Sequence, residues 1–181
     1  MGEWIGFVDG DDEVEPDMYE ILLNNAKKYN ADISHCGYQM IFDDGRVNYF
    51  HNTGCFVEQD RTKALKDLLD GSLVEPGLWN KLFHKSLFHS LLHSTVMDEN
   101  IKINEDLLMN YILFLNAKIS IFEDRCLYHY IVRSTSASRV KLNEHRIFDP
   151  IRVKKIILTL AKEDMLLSAQ KAYVRTCINV Y

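Results

Sequence analysis

The chain has 181 residues, of which 47% are apolar and 26% charged, with a formal net charge of −5. This composition suits one globular domain, or a domain with an appendage, and the acidic balance argues against a generic nucleic-acid surface. No run of about 18 apolar residues is present to span a membrane, and the opening residues lack the pattern of a secretion signal.

The first patterned stretch is WIGFVDGDDEVEPD, residues 4–17. Trp4, Ile5, Phe7 and Val8 put apolar residues on both pleat faces, which predicts a strand buried on both sides in a parallel sheet. The strand ends in Asp9, Asp11 and Asp12. Pro16 then suits a first helical turn, and Met18, Ile21, Leu22 and Ala26 predict a helix over 17–29. Residues 31–42 read as a strand, Asp43-Asp44-Gly45 as a turn, and residues 46–51 as a returning hairpin partner. A short helix over 62–69 stops at Gly71. Residues 78–93 (LWNKLFHKSLFHSLLH) are amphipathic and read as helical. His89 and His93 are spaced to share a metal, but no Glu or Cys stands at a matching distance, so surface or packing roles are expected. Asn104 caps a buried helix opening with Glu105 and Asp106. Residues 118–121 and 126–132 read as two strands, residues 133–139 (RSTSASR) as a polar loop, and residues 143–181 as helix broken near Glu163-Asp164. Cys36, Cys55, Cys126 and Cys177 form no C-x-x-C pair and read as reduced thiols of a cytoplasmic protein.

Two carboxylate groups carry the chemistry. Asp9 and Asp11 flank Gly10 and can converge on one point, as Mg²⁺ or Mn²⁺ requires when water and a substrate phosphate fill its other positions. Read alone, D-G-D-D is also an ordinary solvated turn. Glu105 and Asp106 sit at a helix start, where the macrodipole favours acidic residues whatever their role. A carboxylate held ionised there can also act as a general base on an attacking hydroxyl.

Four segments, in order, resemble family 2 glycosyltransferases of the GT-A fold, of the bacterial surface-polysaccharide type. They are WIGFVDGDDEVEPDMYEIL, ADISHCGYQMIFDDG, LWNKLFHKSLF and the stretch from MDENIKINEDLL to IVRSTSAS. The resemblance implies an α/β fold, a partial GT-A (Rossmann-like) mixed sheet flanked by helices, with a helical C-terminal tail. It divides the chain into residues 1–142, the C-terminal portion of a GT-A domain, and residues 143–181, a helical extension. It places a divalent cation, Mn²⁺ or Mg²⁺, on Asp9 and Asp11. A nucleotide-diphosphate sugar would lie against Asp9, Asp11 and Asp12, with Arg133 and Ser136 approaching its diphosphate. Asp106 becomes the catalytic base with Glu105 beside it, and Trp79, Asn80 and Lys81 face the acceptor, a saccharide or lipid-linked hydroxyl. The implied reaction is inverting sugar transfer in surface polysaccharide synthesis, in the cytoplasm or peripheral to the inner membrane.

Two departures shape the expectation. The Q-x-x-R-W motif of processive members is missing, which suggests addition of single sugars. The βαβ units that bind base and ribose in the family are also missing, which suggests a truncated chain, inactive alone, whose first strand offers an unpaired edge. Such an edge recruits another chain, so a homodimer through this strand or the nearby apolar surface is expected. The alternatives are a non-catalytic interaction module of the same fold and, more remotely, a phosphohydrolase with Asp9 as nucleophile.

Overall fold

The computed structural model describes residues 2–92, 97–133 and 143–180. The chain divides into two units, one made of Met1–Gln59, Leu78–Lys85 and Ala117–Lys141, the other of Asp60–Gly77, Ser86–Asn116 and Leu142–Tyr181.

The first unit is a mixed sheet with one helix. Its elements are β1 (Trp4–Gly6), β2 (Glu13–Val14), α1 (Met18–Lys28), β3 (Ile33–Phe42), β4 (Val47–Phe50), β5 (Phe56–Asp60), β6 (Lys81–His84) and β7 (Ile119–Val132). The main strand order is β1-β6-β3-β7-β2, with β4 on β3 and β5 on β7. β3 and β7 run parallel, from Ile33 opposite Ser120 to Phe42 opposite Val132. β6 is antiparallel to both β1 and β3, and β2 is antiparallel to β7. The core beneath α1 joins its Met18 and Leu22 to Cys36, Tyr38, Trp79, Leu82, Leu127 and Tyr128. These come from both patterns expected of buried elements: every third or fourth residue of a helix, and alternate residues of strands.

Three expectations need correction. β1 is a short, half-buried strand antiparallel to β6, not a strand buried on both faces of a parallel sheet. Its apolar residues exceed what one covered face needs, and Val8, past its end, is exposed. Residues 78–93 are not one helix. They give β6, a 3-10 turn at Lys85–Phe88 and the four-residue helix α3 (His89–Leu92). The helical spacing of Leu82, Phe83 and Leu87 is overridden because Leu82 and Phe83 find partners in both neighbouring strands. His93 lies outside the described residues. The two strands expected at 118–132 are one 14-residue strand, β7. Its register against β3 shifts around Gly37, where a Cβ would come within 3.2 Å of the Arg125 carbonyl oxygen. β2 and β5 were not foreseen.

The second unit is helical. It contains α2 (Arg61–Asp70), α3, α4 (Glu105–Asn116), α5 (Glu144–Leu160) and α6 (Glu163–Val180). Helices α2, α4, α5 and α6 pack on one another, and α4 is covered almost all round, burying Leu107, Leu108, Tyr111, Ile112, Leu113 and Phe114. The stop expected at Gly71 is observed, whereas the caps Asp60 and Asn143 were not foreseen and, among the described residues, no side-chain cap from Asn104 is seen on α4. Asp60 caps α2 by accepting from the Lys63 N–H at 2.7 Å, and Asn143 caps α5 by accepting from Arg146 N–H. Gly71 closes α2 in the left-handed region at φ 68°, its N–H donating to the Asp67 carbonyl. Asn104, ahead of α4, also has a left-handed φ of 67°, and its carbonyl accepts from Leu108 N–H.

Gly71→Ala adds a Cβ to a left-handed residue. It should lower the unfolding free energy by about 1 kcal/mol, read as a reduced urea midpoint at unchanged slope.

Candidate active site

Residues 9–12 close a tight turn, with Asp12 N–H donating to the Asp9 carbonyl at 3.1 Å. The acidic residues therefore project from a turn beyond β1, not from an extended strand. Tyr128 on β7 fixes this turn. Its hydroxyl donates to Asp12 Oδ2 at 2.7 Å and accepts from the Asp9 N–H at 3.2 Å. Ile131 N–H donates to the other Asp12 oxygen at 2.9 Å. Both Asp12 oxygens are thus engaged by protein donors, while Asp9 and Asp11 stand exposed.

Charge accumulates in the turn. Partial burial, then repulsion from Asp12 and Asp11, pushes the Asp9 carboxyl above its ordinary value. Burial pushes the Tyr128 phenol up, with the Asp12 carboxylate adding to the effect, so Tyr128 remains a neutral donor. Arg133, just past β7, donates to the Asp11 carbonyl at 3.1 Å. A cationic side chain and two exposed carboxylates therefore share one turn. Ser136 lies outside the described residues.

The turn rests on an aromatic layer. Trp79 stacks on Tyr128, with ring centroids 4.4 Å apart, and meets Tyr38 edge-on at 4.8 Å. Asn80 and Lys81 follow Trp79 into the interior, where all three are buried. Asn80 donates to the Cys36 carbonyl at 2.5 Å, and Lys81 donates to Asn80 Oδ1 at 2.6 Å. Burial outweighs the opposing Lys81 charge and pushes the neighbouring Cys36 thiol up to about 12. Trp79, Asn80 and Lys81 thus pack between the strands that support the turn.

Glu105 and Asp106 belong to the second unit and open α4, Glu105 exposed and Asp106 half-buried. Within that unit, α4 is anchored downstream by Asn110, whose amide donates to the Pro76 and Gly77 carbonyls.

The donor set fits a hard divalent cation. Two exposed carboxylates repel one another, Asp12 is already satisfied, and a Cβ on Gly10 would meet nothing within 4 Å, leaving room for a ligand. Among the described residues no group of three or more His, Cys, Asp or Glu is arranged to hold a metal. A cation here would thus take two protein carboxylates and complete its shell with water and phosphate oxygens, as Mg²⁺ does.

The profile described as glycosyl transferase family 2 matches residues 1–92, half of the chain. The chain belongs to glycosyl transferase family 2. Among curated proteins it is 29% identical over 146 residues to glycosyltransferase GlyA of Streptococcus pneumoniae, covering 77% of this chain and 20% of GlyA. It is 25% identical over 145 residues to the uncharacterized glycosyltransferase YibD of Escherichia coli, covering 77% of this chain and 41% of YibD. The chain therefore spans about two fifths or less of these family 2 relatives. Among solved structures, Staphylococcus aureus TarS 1–349 in complex with UDP-GlcNAc superposes with a TM-score of 0.71 at 16% identity, covering 99% of this chain and 49% of TarS 1–349. The complex of TarS 1–349 with UDP gives a TM-score of 0.56 at 14% identity. At these identities the likeness is one of fold, and it agrees with the expected α/β GT-A arrangement.

Sequence reading selected the acidic turn but missed Tyr128. The one signal was the alternation of Tyr128 and Tyr130 in an apolar strand, which says that the ring is buried but not what its hydroxyl reaches.

Tyr128→Phe keeps the stack on Trp79 and removes the bonds to Asp12 and Asp9. It should cost about 1–2 kcal/mol of stability, measured by urea unfolding, and weaken Mn²⁺ binding. Asp9→Asn tests the electrostatics with the opposite sign. A carboxyl raised by folding lowers stability as pH climbs from the unfolded value of 3.8 through the folded one, so the loss is fully present at pH 7. Metal-free Asp9→Asn should therefore melt higher than the parent at pH 7, with the difference vanishing below about pH 4.

Proposed function

We propose that this chain carries the cation-binding turn and the general base of an inverting glycosyltransferase, which moves a sugar from a nucleotide-diphosphate donor to an acceptor hydroxyl in surface polysaccharide synthesis. The observation carrying this reading is the acidic turn itself. Asp12 is pinned through both oxygens, leaving Asp9 and Asp11 exposed beside the Arg133 guanidinium. That is a seat for a cation with a diphosphate on it.

Asp9 and Asp11 would hold Mg²⁺ or Mn²⁺, which when bound supplies charge neutralisation at the departing nucleoside diphosphate. Arg133 would add a donor for a diphosphate oxygen, with Ser136 from the following loop. Asp106, with Glu105 beside it, would take the proton of the acceptor hydroxyl as that oxygen attacks the anomeric carbon from the face opposite the leaving group. The acceptor would be a saccharide or a lipid-linked sugar. Trp79, Asn80 and Lys81 would act on that side by holding the strands under the turn. The TarS complex with UDP-GlcNAc makes a uridine diphosphate sugar the first donor to test.

The chain is further proposed to be the C-terminal portion of a GT-A domain (1–142) with a helical extension (143–181), working in the cytoplasm or peripheral to the inner membrane. Its share of the family 2 relatives' length supports that reading. So does β1, which has β6 as its one strand neighbour among the described residues. A shallow apolar depression of roughly 550 Å³, lined by Trp4, Val8, Tyr19, Leu23 and Leu82, adjoins this edge. The free edge and the depression together suit a second copy of the chain. No helix among the described residues is long and apolar enough to cross a membrane.

Calorimetric titration with Mn²⁺ and a uridine diphosphate sugar tests the donor site. Binding should need the metal and be lost in Asp11→Ala; binding that survives Asp11→Ala favours a non-catalytic module. In a transfer assay with whatever portion of the domain completes the donor pocket, Asp106→Asn should lower kcat by about 10²–10⁴. Light scattering at rising concentration should show a dimer, and Val8→Lys at the β1 edge should disperse it.

A further inference from the structure

The second unit holds a fully buried carboxylate that the proposed chemistry leaves unused. Asp149 on α5 has none of its surface exposed. Its Oδ2 accepts from Lys102 N–H at 2.8 Å and lies 2.9 Å from His145 Nδ1. Its Oδ1 lies 3.5 Å from an Arg152 Nη. Burying a charge is costly unless it is paired and hydrogen-bonded, so such a group marks a place the fold must hold. Burial opposes the charge here, but Lys102 N–H, His145 and Ile103 N–H outweigh it and hold the carboxyl below its ordinary value. What Asp149 holds is the lead-in to α4. Lys102 and Ile103 directly precede Asn104, whose left-handed backbone turns the chain so that Glu105 and Asp106 become the first residues of the helix. The sequence between the clamp at Lys102 and Asp106 is three residues long, Ile103, Asn104 and Glu105.

We infer that Asp149 is a positioning residue for the general base: by gripping the backbone at Lys102, it fixes the bend at Asn104 that sets Asp106 on the N-terminus of α4. His145 acts through it by orienting the carboxylate. This inference rests on the assignment of Asp106 as the base, so its test uses a readout that does not depend on turnover.

The experiment follows the carboxyl carbons of Asp106 and of a control in the other unit, Glu123, by ¹³C NMR against pH. It compares the parent, Asp149→Asn and the milder His145→Gln. Among the described residues, Asp98 and Arg152 are the other charged side chains shown to act on or with Asp149, and both stay in place. The two possible effects have opposite signs. Removing a negative charge lowers the midpoint of a nearby carboxyl, whereas drawing Asp106 away from the helix N-terminus raises it. Asp149→Asn should raise the Asp106 midpoint by more than about 0.3 pH unit, leave Glu123 unmoved, and speed amide exchange at Lys102 about tenfold or more. His145→Gln should move both in the same direction by less. An Asp106 midpoint that falls or stays put, or unchanged exchange at Lys102, would overturn the inference. A transfer assay on the same variants reads the underlying assignment separately. If Asp106→Asn leaves kcat unchanged, Asp106 is not the base, whatever the NMR shows. If Asp106→Asn is inactive, Asp149→Asn should cut kcat at least tenfold with the donor KM unchanged. A matched loss in both constants would overturn the positioning role.

Discussion

The hydroxyl of Tyr128 is the constraint on which the acidic turn depends. Three carboxylates in four residues repel one another, and an unsupported loop would relax by splaying them apart. Here one neutral phenol donates to Asp12 and accepts from the Asp9 backbone, while Ile131 N–H takes the second Asp12 oxygen. The turn is thereby fastened to the longest strand of the sheet. Burial keeps the phenol protonated, so it can serve as the donor that a phenolate could not be. The stack of Trp79 on Tyr128 and the edge contact of Trp79 with Tyr38 then fix the ring. The three acidic residues thus divide into one that holds the turn and two that face outward.

Much of this was legible in the sequence, and the parts that were not share a cause. Helices with both a periodic apolar face and a chemical stop were readable: Met18 to Ala26 marked α1, and Gly71 ended α2. The acidic turn was readable only from its flanks, an apolar run before it and a helical pattern after it, because D-G-D-D alone is also an ordinary solvated turn. The strand at Lys81–His84 was not readable. Its spacing fits a helix, and only partners on both sides, β1 and β3, make it a strand. Likewise β7 looked like two strands because Glu123, Asp124 and Arg125 interrupt the apolar pattern. Asp124 is in fact buried and accepts from the backbone of Asn52 and Thr53, so the polar interruption belongs to the core. Tyr128 shows the same limit at the site, because its partners lie 116 to 119 residues away.

The two carboxylate groups are built by different physics. At the acidic turn, charge is concentrated and partly relieved by side-chain and backbone donors, which leaves a residual repulsion that favours a cation. At the start of α4, an upstream backbone clamp sets the geometry and the helix itself supplies the favourable field. Both sites use an acid–donor pair, Asp12 with Tyr128 and Asp149 with Lys102 N–H, to hold backbone beside the residue proposed to act.

The parallel pairing of β3 with β7 also governs when the turn can take shape. These two strands begin at Ile33 and Ile119, and the chain between them includes α2, β6 and α4. Parallel pairs of such separation form slowly, because the intervening loop must close before any ladder bond offsets its entropy. Tyr128 and Ile131 belong to the later strand. During synthesis the acidic residues emerge first and remain an unanchored loop until β7 docks, so the geometry at Asp9 and Asp11 is among the last features of the first unit to form.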